Sequence, residues 1–278
     1  MSDKTILITG CSSGIGYDAA HGLARRGWRV FATCRKDEDA ERLRDEGLES
    51  WRLDYEDEAS IDAAMDEALS RSGGQLDAVF NNGAYAIPGL VEDLPTGAFR
   101  AIFEANVIGQ HALTRRAIPV MRAQGHGRLL FNSSVLGFAA LPWRGAYNTT
   151  KYALEGYCDT LRRELHGSAL HVVLIQPGPI DTMIREKSIP HFEKWIEPEK
   201  SARAADYETR LKPRLYKVGG SSRFELPPSA VTEAVHKALT AASPRPRYRI
   251  TTPTKLAALG RRLLSTRMQD RVLGSGGG

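Results

Sequence analysis

The sequence predicts a doubly wound α/β fold, in which one parallel sheet carries helices on both faces. Three observations predict it. Apolar runs of strand length alternate with segments of helical period from residue 4 to about 180, the pattern of strands joined by crossover helices. The runs are rich in apolar residues, as strands buried on both sides require. No Pro/Gly/Ser-rich linker breaks the alternation, so residues 1–273 read as a single domain.

The strand candidates in order are TILIT (5–9), WRVFAT (28–33), LESWRL (48–53), LDAVFN (76–81), GRLLFN (127–132) and LHVVLIQ (170–176). Between them, helical segments are expected over 14–27, 37–47, 57–73, 96–125 and 147–165. After the sixth strand the rhythm fails. Residues 183–228 are charged, with aromatics interspersed, and read as an insertion. SAVTEAVHKALTA resumes a helix, and RYRI (247–250) is a candidate last strand. TKLAALGRRLLSTRMQDR is basic and amphipathic; it can cover the core or lie on an anionic membrane surface. The terminal residues 274–278, GSGGG, are expected to be disordered.

Composition narrows the function. A chain of 278 residues with 42% hydrophobic and 26% charged content is ordinary for a soluble globular protein. No apolar stretch has the roughly 18 residues of a transmembrane helix, and no secretory leader precedes the first strand. Cys11, Cys34 and Cys158 form no CxxC pair, which suits the reducing cytoplasm. The seven histidines show no metal-binding spacing, so no metal is expected. A net charge of +5 favours anionic ligands without pointing to nucleic acid.

Ligands of such sheets sit beyond the carboxyl ends of the strands. After the first strand comes TGCSSGIG, with Gly10, Gly14 and Gly16 allowing a tight turn and close backbone approach. Ser12 and Ser13 add hydroxyl donors, and the helix that starts at Gly14-Ile15 offers free amides to a pyrophosphate. Such a loop also occurs as a plain strand-to-helix turn; its place after the first strand favours a dinucleotide. At the end of the second strand an NAD site carries an acid for the ribose 2′-hydroxyl, whereas an arginine accommodates a 2′-phosphate. Here Arg35 and Lys36 follow Cys34, with no carboxylate before Asp37. They are either solvated or set for NADP(H), and their position favours NADP(H).

Tyr147 and Lys151 stand four residues apart in YNTTK and share one helical face. Alone they make an unremarkable surface pair. A free tyrosine has a pKa near 10, and a cation one turn away favours its phenolate, so the pair also suits general acid–base work.

The ordered motifs TGCSSGIG, LDY (53–55), NNGA (81–84), ANVIG (105–109), NSSVLG (132–137), YNTTK (147–151) and PGPIDT (177–182) resemble the short-chain dehydrogenase/reductase family over nearly the whole chain. The similarity is greatest to the branch of 17β-hydroxysteroid and retinol dehydrogenase-like enzymes and their bacterial relatives. The family reads Asn-Asn-Ala-Gly where this chain exchanges Gly83 and Ala84, so the local backbone is open to a shift. The resemblance implies a Rossmann fold and a catalytic set of Asn106, Ser134, Tyr147 and Lys151. Ser133 rivals Ser134 by chemistry, but the 13-residue spacing to Tyr147 favours Ser134. It also implies cofactor contacts from Leu53, Asp54, Asn82, Gly83 and Ala84, from Tyr147 and Lys151, and from Pro177, Gly178, Ile180 and Thr182 near the nicotinamide. Asn106 would kink the long fourth helix. The expected activity is NADP(H)-dependent interconversion of a carbonyl and an alcohol, with a catalytically silent cofactor sensor as the alternative. Apolar Ala139, Leu141 and Trp143 point to a small hydrophobic substrate, steroid, retinoid, fatty or xenobiotic. A homodimer or homotetramer is expected through the faces carrying Ala112, Ile118 and Leu161.

Overall fold

A computed structural model describes residues 4–217 and 224–274. These form a seven-stranded sheet in the order β3-β2-β1-β4-β5-β6-β7, with every neighbouring pair parallel. The strands are β1 (Thr5–Thr9), β2 (Arg29–Cys34), β3 (Glu49–Arg52), β4 (Ala78–Asn81), β5 (Gly127–Asn132), β6 (Leu170–Gln176) and β7 (Arg247–Arg249). The order reverses between β1 and β4, which opens a crevice at the carboxyl ends of those strands.

Strand periodicity divides the core. Ile6 and Ile8 of β1 face one layer with Val30 and Ala32, against Ala19 and Leu23 of α1 (Gly14–Ala24). Leu7 faces the other layer with Phe31, Val79 and Leu129. That second layer packs on α3 (Glu58–Ser72), which follows the short α2 (Asp37–Asp45). α3 starts where the Asp57 carboxylate accepts the Ser60 amide at 3.2 Å and stops at Gly73, whose φ of 70° only glycine adopts freely.

The expected single helix over 96–125 is interrupted. It runs as α4 (Thr96–Phe103), a π turn over Glu104–Ile108, then α5 (Gly109–Gln124). The extra residue of the π turn lets Asn106 aim inward, and such turns cluster at functional sites. α6 (Gly145–Glu164) follows β5 and contains the Tyr147 segment.

Residues 183–228, anticipated only as an irregular insertion, are largely helical: α7 (Ile184–Trp195), α8 (Ala204–Asp206), a π turn at Tyr207–Leu211 and α9 (Lys212–Leu215). Their interspersed apolar residues, Phe192, Ile196, Tyr207, Leu211 and Leu215, are buried in a third cluster with Trp143 and Tyr147. The Tyr207 hydroxyl donates to Asp93 at 2.7 Å and accepts the Leu90 amide at 3.0 Å, tying the insertion to the loop after β4.

α10 (Ser229–Thr240) packs on α1, and α11 (Thr252–Leu263) and α12 (Thr266–Gly274) end the described chain. Gly274 therefore belongs to a helix, and the rest of the anticipated tail, 275–278, lies outside the described residues. α11 and α12 do not bury an apolar stripe on the core: Leu256, Leu259, Leu263, Met268 and Val272 are exposed. Ala112 and Ile118, expected at a subunit interface, are half-buried against this chain's own core, and Leu161 is buried in it. The three cysteines are free and buried. Among the described residues there is no metal-ligating cluster and no helix long and apolar enough to cross a membrane.

Candidate active site

The carboxyl ends of β1 to β6, the helices α1 and α6 and the π turn at Asn106 border the crevice. The β1 end carries the glycine loop. Gly10 and Gly14 have φ of +69° and +58°, and a Cβ on Gly16 would lie 2.3 Å from the Gly10 carbonyl oxygen. Ser13 precedes α1 without capping it through its side chain, and no acidic residue stands in the first turn. That leaves amides and a positive helix end for an anion. The Ile15 side chain packs back on the core, while its residue stands in the first turn of α1.

Thr9 sets the opposite wall. Its hydroxyl accepts the amides of Asn82 (2.9 Å) and Gly83 (3.0 Å), and Asn82 Nδ2 donates to the Thr9 carbonyl at 2.9 Å. A Cβ on Gly10 would stand 2.7 Å from the Gly83 Cα. The exchange of Gly83 and Ala84 has no conformational consequence of the kind anticipated, because neither residue has a positive φ. Gly83 abuts the Tyr55 ring, where an added Cβ would sit at 3.1 Å, so smallness is what the position uses. Leu53 is buried at the end of β3, and the Asp54 carboxylate accepts the Glu56 amide at 3.1 Å. Arg35 and Lys36 are exposed at the end of β2, where the first carboxylate is that of Asp37 in α2. The residues present fit a dinucleotide: small residues at Gly10, Gly14, Gly16 and Gly83, and exposed cations at the end of β2.

The chemistry-bearing residues meet at the other end. Lys151 is 1% exposed, donates to the Asn132 carbonyl at 2.6 Å, and has its Nζ 5.4 Å from the centroid of the Tyr147 ring. Burial pulls its pKa down to about 8, against the opposing pull of Glu155 and Cys158. Tyr147 is buried too, and burial pushes its phenol up to about 12, while Ser134 and Arg144 act the other way. The sequence had suggested a phenol depressed by the lysine; removal from water is the larger effect in the free protein.

Asn106 is fully buried. It accepts the Tyr85 amide (3.0 Å) and donates to the Tyr85 carbonyl (2.9 Å) and the Thr150 hydroxyl (3.2 Å). It thus bolts the π turn to the second turn of α6, between Tyr147 and Lys151 in the sequence.

The two serines after β5 are distinguished by their partners. Ser133 donates to Glu155 at 2.5 Å. Ser134 accepts only the nearby Leu136 amide, at 3.1 Å, and faces Tyr147. Glu155 was not singled out in the sequence. It is one helical turn beyond Lys151, and also accepts from Gln176 (2.8 Å) and Arg247 (3.1 Å). The i+4 spacing was its one available signal.

The loop after β6 closes the site. The Pro177 carbonyl accepts the Val135 amide at 2.7 Å, joining it to the serine loop. Thr182 lies against Gly14, 3.2 Å from where a Cβ would be. Ile180 is turned into the core and bridges Leu226. Gly178 makes room for Thr251 at the start of α11, since a Cβ there would meet its hydroxyl at 2.2 Å.

Residues 4–192 match the family model for short chain dehydrogenases. The chain belongs to the short-chain dehydrogenase/reductase family. It is 36% identical over 270 residues to the uncharacterized oxidoreductase YbbO of Escherichia coli strain K12, covering 97% of this chain and 94% of that one. It is 32% identical over 281 residues to mouse (Mus musculus) retinol dehydrogenase 7, covering 98% and 88%. A short-chain dehydrogenase/reductase from Burkholderia phymatum, solved in complex with NAD, superposes with a TM-score of 0.79 at 25% identity over 98% of this chain and 95% of that one. This family member is accordingly an oxidoreductase of the carbonyl/alcohol class that uses a nicotinamide cofactor.

Proposed function

We propose that this dehydrogenase/reductase interconverts a hydrophobic ketone or aldehyde and its alcohol with NADP(H), using Tyr147 as the general acid/base. The observation that carries the reading is the convergence of Tyr147, Lys151, Ser134 and Asn106 from three separate segments on one pocket end. When bound, the dinucleotide supplies or accepts the hydride. Tyr147 donates its hydroxyl proton to the carbonyl oxygen in reduction and takes it back in oxidation. Burial keeps that phenol protonated at neutral pH, which suits reduction. Ser134, free of Glu155, donates to the same oxygen and holds it in line. The Lys151 ammonium favours the phenolate as it forms and holds the ribose hydroxyls, while Asn106 positions both α6 residues through Thr150.

NADP(H) is favoured by Arg35 and Lys36 at the end of β2, where an NAD site carries an acid. A hydrophobic substrate is favoured by the apolar cluster around Tyr147, including Trp143, Ile87, Leu90 and Phe192. Trp143 holds a φ of +66° there, a strained conformation for a bulky residue and a frequent mark of a functional wall. A cytoplasmic homo-oligomer fits the same reading. The test is a panel of apolar ketones and aldehydes read by loss of NADPH absorbance, with NADH in parallel. Turnover of at least one apolar carbonyl with NADPH and faster than with NADH is expected; inactivity across a broad panel in both directions refutes it.

A further inference from the structure

Lys187 belongs to α7, outside every motif that points to the cofactor. Its Nζ nonetheless donates to the Ser12 hydroxyl at 3.1 Å and the Ser13 hydroxyl at 2.6 Å, across the crevice in the glycine loop. A serine oxygen that accepts from an ammonium keeps its own proton to donate. The pair therefore presents donors to whatever enters. Other cations surround the spot. Arg42 of α2 donates to the Ser12 carbonyl at 2.8 Å and to Asp39 at 3.2 Å. Arg35, Arg42, Cys34 and Asp39 all lie near enough to act on the Lys187 charge, so this cation faces the end of β2. Asp39 is the carboxylate in that group, and Arg42 already engages it.

α7 presents more than one residue in this direction. Lys187, His191 and Lys194 recur at i, i+4 and i+7, which places them along one helical face. The His191 ring stacks on Tyr85 with centroids 4.0 Å apart and planes 12° from parallel, and Arg35 bears on both rings. A basic helix face thus lies over a groove whose floor holds Arg35 and two donor serines. Nothing in the packing of the apolar cluster requires a lysine there.

We propose that Lys187 joins Arg35 in binding the 2′-phosphate of the cofactor. The inference rests on the NADP(H) reading above. It makes the insertion a contributor to cofactor choice as well as a substrate wall, because a cation of α7 already stands on the glycine-loop serines.

Calorimetry on the full chain with NADPH, NADH, 2′,5′-ADP and 5′-AMP tests it with Lys187→Gln, an exposed substitution that removes the charge and leaves a polar side chain one atom shorter. NADPH and 2′,5′-ADP should bind about tenfold more weakly, as for one lost charge-assisted bond. NADH and 5′-AMP should stay within about twofold. Equal weakening of NADPH and NADH would assign Lys187 to the pyrophosphate and overturn the proposal. So would an unchanged NADPH affinity in a protein that still prefers NADPH, and that outcome leaves the NADP(H) reading intact. Equal affinities of the native protein for NADPH and NADH would instead overturn the NADP(H) reading, and this inference with it.

Discussion

Replacing Lys151 with methionine should abolish activity and make the cofactor-free protein more stable. The ammonium is buried, and its pKa falls from 10.5 to about 8. At about 1.4 kcal/mol per unit, holding the charged form in the fold is unfavourable by roughly 3.5 kcal/mol. The sign follows from linkage. The folded state loses this proton before the unfolded state does, so the penalty is complete below pH 8 and disappears as pH rises toward 10.5. Methionine fills similar volume without charge but gives up the charge-assisted 2.6 Å bond to the Asn132 carbonyl, worth about 1.5 kcal/mol. The net gain at pH 7 is about 2 kcal/mol, a rise in Tm of roughly 4–8 °C for a chain of this size. Thermal and urea unfolding at pH 7 and pH 10 measure it: the advantage should be clear at pH 7 and largely gone at pH 10. A methionine variant that is less stable at pH 7, or whose advantage does not change with pH, would show that burial does not penalise this ammonium.

Tyr147→Phe keeps the ring and removes the proton, so NADPH affinity should be nearly unchanged while kcat falls by about 10²–10⁴-fold or more; retention of both would sink the proposed mechanism. In pH–rate profiles, alcohol oxidation should climb through the alkaline range because the phenol is held high. Carbonyl reduction should decline above about pH 8 as Lys151 loses its charge. Ser134→Ala should lower kcat by at least about tenfold, whereas Ser133→Ala, which breaks the bond to Glu155, should register chiefly as lost thermal stability, about 1–3 kcal/mol. Arg35→Asp should remove most of the NADPH preference with little loss of stability, since the residue is exposed at a strand end; calorimetry with both cofactors reads this directly.

Much of the fold was legible because its strands are short, apolar and evenly spaced. TILIT, GRLLFN and LHVVLIQ became β1, β5 and β6 with the same bounds. The glycine loop was legible because a tight turn with close backbone approach admits so few residue types. The insertion was not. Its charged residues dominate the local pattern, and its apolar residues acquire meaning only once Trp143 and Leu90 are there to cover them. The same is true of the fourth helix, where nothing in the local sequence distinguishes a π turn at Asn106 from regular helix.

By itself the sequence determined the doubly wound class and the family, and it put Tyr147 and Lys151 on one helical face, because each depends on spacing along a single element or on order in the chain. Spacing already favoured Ser134 over Ser133, but only the tertiary structure showed Ser133 bonded to a carboxylate 22 residues away on α6. It alone showed that burial, rather than the lysine, dominates the Tyr147 phenol. And it alone brought Lys187 to Ser12 and Ser13 from the far side of the crevice. Local periodicity is written in the chain one residue after another; the dielectric around a buried group and the company a long side chain keeps exist only after distant segments have packed together.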